Sequence, residues 1–246
     1  LSCFEHKHKL HAWCLNKGLD FMPQTWVLDE LFLHQSLEKL TALNLACQWI
    51  LKPALLNNGA GIRIFSTLEA VKAHFRQTDR YAGLHVIQAY IDPPLLIDNK
   101  KFSLRMLVVL SENNGLYLHP EGYLNVCNTP YLKGEYHALS AHLTNEHLTS
   151  EGKANNVQCL TSDWPLYRRL FPEISRQCQA LFTPYTFDGM GKNRHGFLGV
   201  DFMLDENKRL WLLEVNHGPC FPTATEHPLF ESLYRPFWRS VVRFIS

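Results

Sequence analysis

Gly199-Val200-Asp201-Phe202-Met203-Leu204-Asp205 and the downstream run Trp211-Leu212-Leu213-Glu214-Val215-Asn216 decide how this chain is read. Val200, Phe202, Leu204, Leu213 and Val215 are apolar and alternate with Asp201, Met203, Glu214 and Asn216. A period of two is the signature of a strand with one face in a core. The spacing predicts a hairpin, Phe197–Leu204 and Arg209–Val215, around Asp205-Glu206-Asn207-Lys208. Asp201 and Met203 share one face, Glu214 and Asn216 share a face of the partner strand, and pairing across the turn can bring the three polar groups together. A carboxylate between apolar neighbours is costly unless it is paired or bound to a cation. Two carboxylates and an amide oxygen are hard ligands suited to Mg²⁺ with phosphate oxygens. An ordinary amphipathic hairpin with a wet face has the same spacing, so both readings stand on the pattern alone.

Working outward, Lys101 to Leu110 reads as a long strand on which Lys101, Ser103 and Arg105 share one face and Phe102 and Leu104 the other. Two cations on a strand face can contact a polyphosphate or form a solvated edge. Leu116–His119 and Tyr123–Cys127 flank Pro120-Glu121-Gly122, which reads as a hairpin turn. Towards the N-terminus, Trp49-Ile50-Leu51-Lys52-Pro53 is a strand that stops at proline, Asn57-Asn58-Gly59-Ala60-Gly61 a turn, and Ile62–Phe65 a second strand. Thr67 caps a helix running to about Gln77, and His85 to Ile91 is a third strand. Lysine at a strand end before a glycine-containing loop can hold phosphate, although the Walker A spacing is absent and a plain hairpin turn fits as well. Leu31 to Leu45 has helical spacing with Ser36 as its cap, and Phe21–Leu28 is a short extended piece. Asp163 to Phe182 is helical with a break or kink at Pro172, and Glu226 to Ile245 has helical character. The sum is α+β: small antiparallel sheets with helices outside them.

Composition limits the function classes. The 246 residues are 46% hydrophobic and 19% charged, enough for a buried core. A net charge of +1 offers no bulk attraction for nucleic acid or membrane, and no apolar run of about 18 residues is present. The seven cysteines, Cys3, Cys14, Cys47, Cys127, Cys159, Cys178 and Cys220, are scattered and contain no C-x-x-C pair, the usage of a reducing compartment. His6, His8 and His11 lie close together, as a metal-binding run or a solvated segment would. No signal-peptide pattern opens the chain, and a cytoplasmic monomer is expected.

From Phe21 to Pro222 the motifs, in order, resemble the tubulin–tyrosine ligase-like family, a branch of the ATP-grasp enzymes. The resemblance is carried by Phe-Met-Pro-Gln-Thr-Trp at 21–26, Trp-Ile-Leu-Lys-Pro at 49–53, Gly-Ala-Gly-Ile at 59–62 and Val-Ile-Gln-Ala-Tyr-Ile at 86–91. It continues through Pro-Leu-Leu-Ile at 94–97, Lys-Phe-Ser-Leu-Arg at 101–105, Leu-Tyr-Leu-His-Pro-Glu-Gly at 116–122, His-Leu-Thr-Asn at 142–145 and the Gly199–Asn216 hairpin. It implies an ATP-grasp fold in which nucleotide lies between the small sheets of a central lobe (36–97) and a C-terminal lobe (98–246), with a short N-terminal lobe, or the remnant of one, at 1–35.

The resemblance also implies roles. Lys52 and Lys101 contact ATP, and Gly59 and Gly61 form the phosphate-covering loop. Gln88, Ala89, Tyr90 and Ile91 line the adenine slot, and Thr144 and Asn145 sit at the nucleotide and its acceptor side. Arg105 neutralises the γ-phosphate and the transition state, while Asp201, Glu214 and Asn216 hold Mg²⁺. Lys7 matches a lysine of the N-terminal lobe. The implied reaction joins an amino acid to a protein acceptor, tubulin by family resemblance only, through an acyl phosphate. Positioning and charge neutralisation replace a protein nucleophile. Two positions depart from the family pattern: Ser103 stands where a nucleotide-holding Asp is usual, its hydroxyl still able to hydrogen-bond the ribose of the bound nucleotide, and Asn125 where Arg is usual, at the position that would meet the substrate carboxylate. The alternatives are an ATP-grasp ligase for a small-molecule carboxylate and amine, and a nucleotide-binding pseudoenzyme.

Overall fold

The computed structural model describes residues 1–146, 148, 154–185, 187, 193–218 and 225–246; Cys220 and Pro222 lie outside them. In chain order, helices α1 (Ser2–Glu5) and α2 (Lys7–Asn16) precede strand β1 (Thr25–Leu28) and helix α3 (Leu33–Ala42). Strands β2 (Trp49–Pro53) and β3 (Arg63–Phe65), helix α4 (Leu68–Phe75) and strand β4 (His85–Ala89) follow. Then come β5 (Leu96–Ile97), β6 (Lys100–Ser111), β7 (Gly115–Leu118), β8 (Tyr123–Cys127), α5 (Leu139–His142), β9 (Asn156–Leu160) and α6 (Tyr167–Phe182). The chain closes with β10 (His195–Leu204), β11 (Leu210–His217) and α7 (Arg235–Ile245).

The described residues form two antiparallel sheets. The smaller has the order β1-β4-β2-β3. Leu28, Trp49, Leu51 and Ile87 on one of its faces pack with Leu37 and Leu40 of α3 and Val71 and Phe75 of α4. The alternate residues Ile50, Lys52 and Gln88 point the other way, into a cavity. The larger sheet runs β11-β10-β6-β8-β9, with β5 and β7 also on β6. Its central strand has two distinct faces. Phe102, Leu104, Met106, Val108 and Leu110 meet Phe4 and Leu10 from the N-terminal helices and Ile174, Cys178 and Leu181 of α6. On the other face, Leu107 and Val109 are covered by Leu233, just before α7, and by Phe237 and Val241 of α7. That cover does not extend over Lys101, Ser103 and Arg105, which line the cavity facing the smaller sheet.

Several local expectations change. Leu116–His119 and Tyr123–Cys127 do not form a hairpin with each other. Val108 to Ser111 of β6 pair with β7, and Phe102 to Arg105 pair with β8, so β7 and β8 lie end to end along the same edge of β6. Pro120-Glu121-Gly122 is the irregular step between them. It is pinned by Tyr167 Oη donating to Pro120 O (2.6 Å), Gly122 N–H donating to Thr161 Oγ1 (2.9 Å) and Ser162 N–H donating to Glu121 Oε1 (2.8 Å). Ser36 is not a cap: Asp29 accepts from Leu31 N–H (3.0 Å) ahead of a single 3₁₀ turn, and Ser36 lies inside α3. Thr67 does cap α4, accepting from Ala70 N–H at 3.2 Å. Helix α6 continues through Pro172, and Thr161–Asp163 forms a separate 3₁₀ turn before it. Before α7, Phe230–Tyr234 is a π-helical turn. Cys3, Cys14, Cys47, Cys127, Cys159 and Cys178 are free thiols.

Gly122 is fixed by packing. A Cβ there would lie 2.3 Å from Arg105 O and 2.8 Å from Met106 Sδ. Gly122→Ala is expected to destabilise the fold by about 1–3 kcal/mol, read as a lower urea midpoint with an unchanged slope.

Candidate active site

The cavity lies between the two sheets, and each strand contributes alternate residues to it. Lys52 comes from β2 and Gln88 from β4; Lys101, Ser103 and Arg105 come from β6, Asn125 from β8, Asp201 from β10, and Glu214 and Asn216 from β11. Gly59, Ala89, Tyr90, Ile91, Thr144 and Asn145 line it as well. Gly61 does not. It adopts φ +69° beside the Tyr81 ring, 2.6 Å from where a Cβ would stand, so its glycine serves loop packing. Gly59, with φ +75°, approaches Asn145.

The acidic corner is built by cross-strand register. Asp201 lies opposite Glu214 on β11 and opposite Arg105 on β6, while Asn216 lies opposite Gly199. A register shift after Asp201 leaves Leu213 as an extra residue beside Glu214, so both line the cavity. The Arg105 guanidinium grips Asp201 with both prongs, Nε to Oδ1 at 2.7 Å and Nη2 to Oδ2 at 2.6 Å. Asn216 Nδ2 sits between the carboxylates, donating to Asp201 Oδ2 at 3.1 Å and to Glu214 Oε1 at 3.4 Å. Lys7 Nζ stands 3.8 Å from Glu214 Oε2 and donates to Leu56 O at 2.8 Å, joining α2 to both the acidic corner and the loop after β2.

Burial and charge oppose each other at these groups. Against the downward push of burial, Asp201 holds Arg105 well above its ordinary value. Burial pushes Asp201 up, more than Arg105 offsets. Against the upward push of burial, Lys7, Lys52 and Arg105 hold Glu214 below the usual carboxylate range. The donor set fits a small divalent cation: two facing carboxylates retain lone pairs beyond those already engaged, and the Asn216 amide group is already placed where an oxygen would join them. Asp201 and Glu214 are the two acidic groups at this corner; among the described residues no group of three His, Cys, Asp or Glu side chains could hold a metal, His6, His8 and His11 included.

At the opposite end, Lys52 is 8% exposed and donates to Gln88 Oε1 at 2.8 Å; Gln88 in turn donates to Thr25 Oγ1 at 2.8 Å. Lys101, 2% exposed, donates to Tyr90 Oη at 2.7 Å and lies 4.0 Å from the centre of that ring. His142 Nε2 donates to Glu135 O at 3.1 Å, so its Nδ1 accepts from Tyr90 Oη at 2.8 Å. Burial lowers Lys52 to about 8 and Lys101 to about 7. Among the described residues, the basic side chains of Lys7, Lys52, Lys101 and Arg105 line the same cavity as the carboxylates of Glu146, Asp201 and Glu214. An anion brought against Lys52 and Lys101 would favour their charged forms.

A model of the tubulin-tyrosine ligase family matches residues 2–170 and 165–245. The chain belongs to that family. It is 27% identical over 196 residues to tubulin glycylase 3B of Tetrahymena thermophila, covering 72% of this chain and 16% of that protein. It is 26% identical over 235 residues to the probable tubulin polyglutamylase ttll-9 of Caenorhabditis elegans, covering 88% of this chain and 56% of the relative. With the inactive polyglycylase TTLL10 of Homo sapiens it shares 25% identity over 246 residues, covering 84% of this chain and 36% of the relative. The chain therefore spans between about a sixth and just over half of these relatives.

The two departures from the usual family residues prove to be neighbours: Ser103 and Asn125 are cross-strand partners. Ser103 Oγ bonds Thr144 Oγ1 at 2.8 Å, and Asn125 Oδ1 accepts from Gln158 Nε2 at 3.1 Å. Asp and Arg at such a pair would cancel each other's charge, and Ser and Asn leave the same local sum of zero. Tyr123, His142, Asn156 and Gln158 also line the cavity and were not singled out from the sequence. His142 stands in the quoted His-Leu-Thr-Asn run, but its role in orienting Tyr90 depends on a contact 52 residues away.

The lowered Lys101 makes stability pH-dependent. Between about 7 and the ordinary lysine value of 10.5 the unfolded chain holds a proton that the folded protein has lost, so folding stability rises with pH across this window. Lys52 contributes the same sign from about 8 upwards. Lys101→Met is expected to remove the part of this rise between pH 7 and 8 and to reduce the rest, measured as urea midpoint against pH.

Proposed function

We propose that the cavity is the centre of an ATP- and Mg²⁺-dependent ligase that forms an amide bond between an amino-acid-type amine and a carboxylate of a protein acceptor. The observation that carries this is the convergence of Lys52, Lys101 and Arg105 with the Asp201–Glu214–Asn216 corner between two sheets. On this reading residues 36–97 form the lobe over the nucleotide and 98–246 the lobe bearing the metal corner, with Gln88, Ala89, Tyr90 and Ile91 at the adenine and Gly59, Thr144 and Asn145 near the phosphates. Tubulin stands in the names of two of the relatives, and we extend it to this chain as the acceptor, as a proposal.

The acceptor carboxylate attacks the γ-phosphorus, the bond to ADP breaks, and an acyl phosphate forms. The amine nitrogen then bonds the acyl carbon, and phosphate leaves with the electron pair of the broken C–O bond. Lys52 and Lys101 hold phosphate oxygens as point charges. Arg105, fixed by Asp201, neutralises charge that grows in the transition state. Mg²⁺ held by Asp201, Glu214 and Asn216 would screen phosphate charge and orient the phosphates for in-line transfer.

A second reading, a nucleotide-binding module without turnover, is favoured by Ser103 and Asn125. Relatives of nearly equal similarity are named protein polyglycylase (Macaca fascicularis, 26%) and inactive polyglycylase (Homo sapiens, 25%), so identity at this level does not separate the two. MgATP is expected to raise the thermal midpoint under both readings, and no shift would remove both. ADP release that depends on an acceptor such as tubulin separates them. Glu214→Gln is expected to cut that release by about a hundredfold or more with an unchanged circular dichroism spectrum; retained activity removes the metal assignment.

A further inference from the structure

The hydrogen bonds behind Lys101 run in one direction. His142 is 1% exposed, and burial, with Lys101 close by, holds its ring below the ordinary histidine value, so the ring is neutral. A neutral imidazole has one donor and one acceptor. Its Nε2 is committed as donor to Glu135 O at 3.1 Å, which leaves Nδ1 to accept from Tyr90 Oη at 2.8 Å. The Tyr90 hydroxyl proton is thereby spent on His142, and Lys101 Nζ meets the oxygen lone pairs at 2.7 Å. The rings of Tyr131 and Tyr136 flank His142 at 5.1 and 5.5 Å between ring centres, and their hydroxyls donate to Asp92 at 2.8 and 2.7 Å. Around Lys101 itself stand Lys52 of β2, Tyr90 and Asp92 just after β4, Cys127 of β8 and His142 of α5.

The direction matters because a buried lysine can be charged or neutral. A Tyr90 hydroxyl free to turn would donate its proton to the lone pair of an uncharged Lys101 amine. Only the neutral lysine can accept that bond, so the bond favours the form that offers an anion no charge. With its proton held by His142, the hydroxyl can only accept from Lys101, as an ammonium requires. We propose that His142 is a positioning residue of the nucleotide site: acting through Tyr90, it presents an acceptor to Lys101 and so favours the ammonium that meets a phosphate. This rests on the nucleotide reading of the cavity, in which Lys101 contacts ATP. His142 touches neither the nucleotide nor the reacting atoms in this role.

The test measures MgATP affinity by calorimetry, without acceptor or amine, at pH 6 and pH 8. Lys101, lowered to about 7, is mostly charged at the first and mostly neutral at the second. His142→Phe keeps a ring and removes the acceptor. It is expected to weaken binding by about fivefold at pH 8, and by less at pH 6, where Lys101 is largely charged already. In a Lys101→Met background the same exchange is expected to leave affinity unchanged. Because His142 is buried, Tyr90→Phe, which removes only the hydroxyl, decides the matter if His142→Phe does not fold by circular dichroism; the same pattern is expected of it. An unchanged affinity, an equal loss at both pH values, or an equal loss with and without Lys101 overturns the positioning role and leaves the nucleotide reading in place. A wild-type chain that binds no MgATP removes the nucleotide reading and the positioning role with it.

Discussion

The Arg105–Asp201 ion pair is the constraint around which the cavity is arranged. Asp201 is 6% exposed, with Val200 and Phe202 on either side of it along β10 in the main core. A carboxylate in that position is tolerable only with a well-aligned partner, and the two-pronged guanidinium supplies one. The partner is present because β10 and β6 share eight consecutive register pairs, His195 to Phe202 against Ser111 to Leu104, with Asp201 opposite Arg105. Glu214 brings a second negative charge to the same corner through β11. That charge is held by Lys7 and Lys52 from separate parts of the chain, so the N-terminal helices and the smaller sheet are tied electrostatically to the larger one.

Packing explains why the cavity is open where it is. One face of β6 is apolar along its length and lies under α1, α2 and α6. The other is apolar only where α7 covers it, and turns polar at Arg105, Ser103 and Lys101. An uncovered stretch of sheet cannot remain apolar without exposing hydrophobic surface to water, so the change in side-chain type marks the boundary between core and site.

That boundary was legible in the sequence because period two is local: Asp201 with Met203, Glu214 with Asn216, and Lys101 with Ser103 and Arg105 each follow from residues two apart. What depends on distant pairing was not. Pro120-Glu121-Gly122 has the residues of a hairpin turn, and only the competing ladder with β6 makes it a step in an edge strand. Ser36 has the chemistry of a cap, but α3 already begins at Leu33, so the N–H groups after Ser36 lie within the helix. The Gln158 contact to Asn125 and the His142 contact to Tyr90 link segments tens of residues apart, and no spacing rule encodes them. Gly61 shows the converse: a motif position whose conformation fits the expected loop, with its close contact turned to packing against Tyr81.

The two-faced character of β6 has a consequence for variation. Its core residues and its cavity residues occupy alternate positions, so one set can change while the other is kept. Exchanges at 103 and 125 alter the lining of the cavity without touching Phe102, Leu104 or Leu124 behind it. A strand of this kind is modular along a single polypeptide segment: cavity lining and folding are written in interleaved residues, and each can drift on its own.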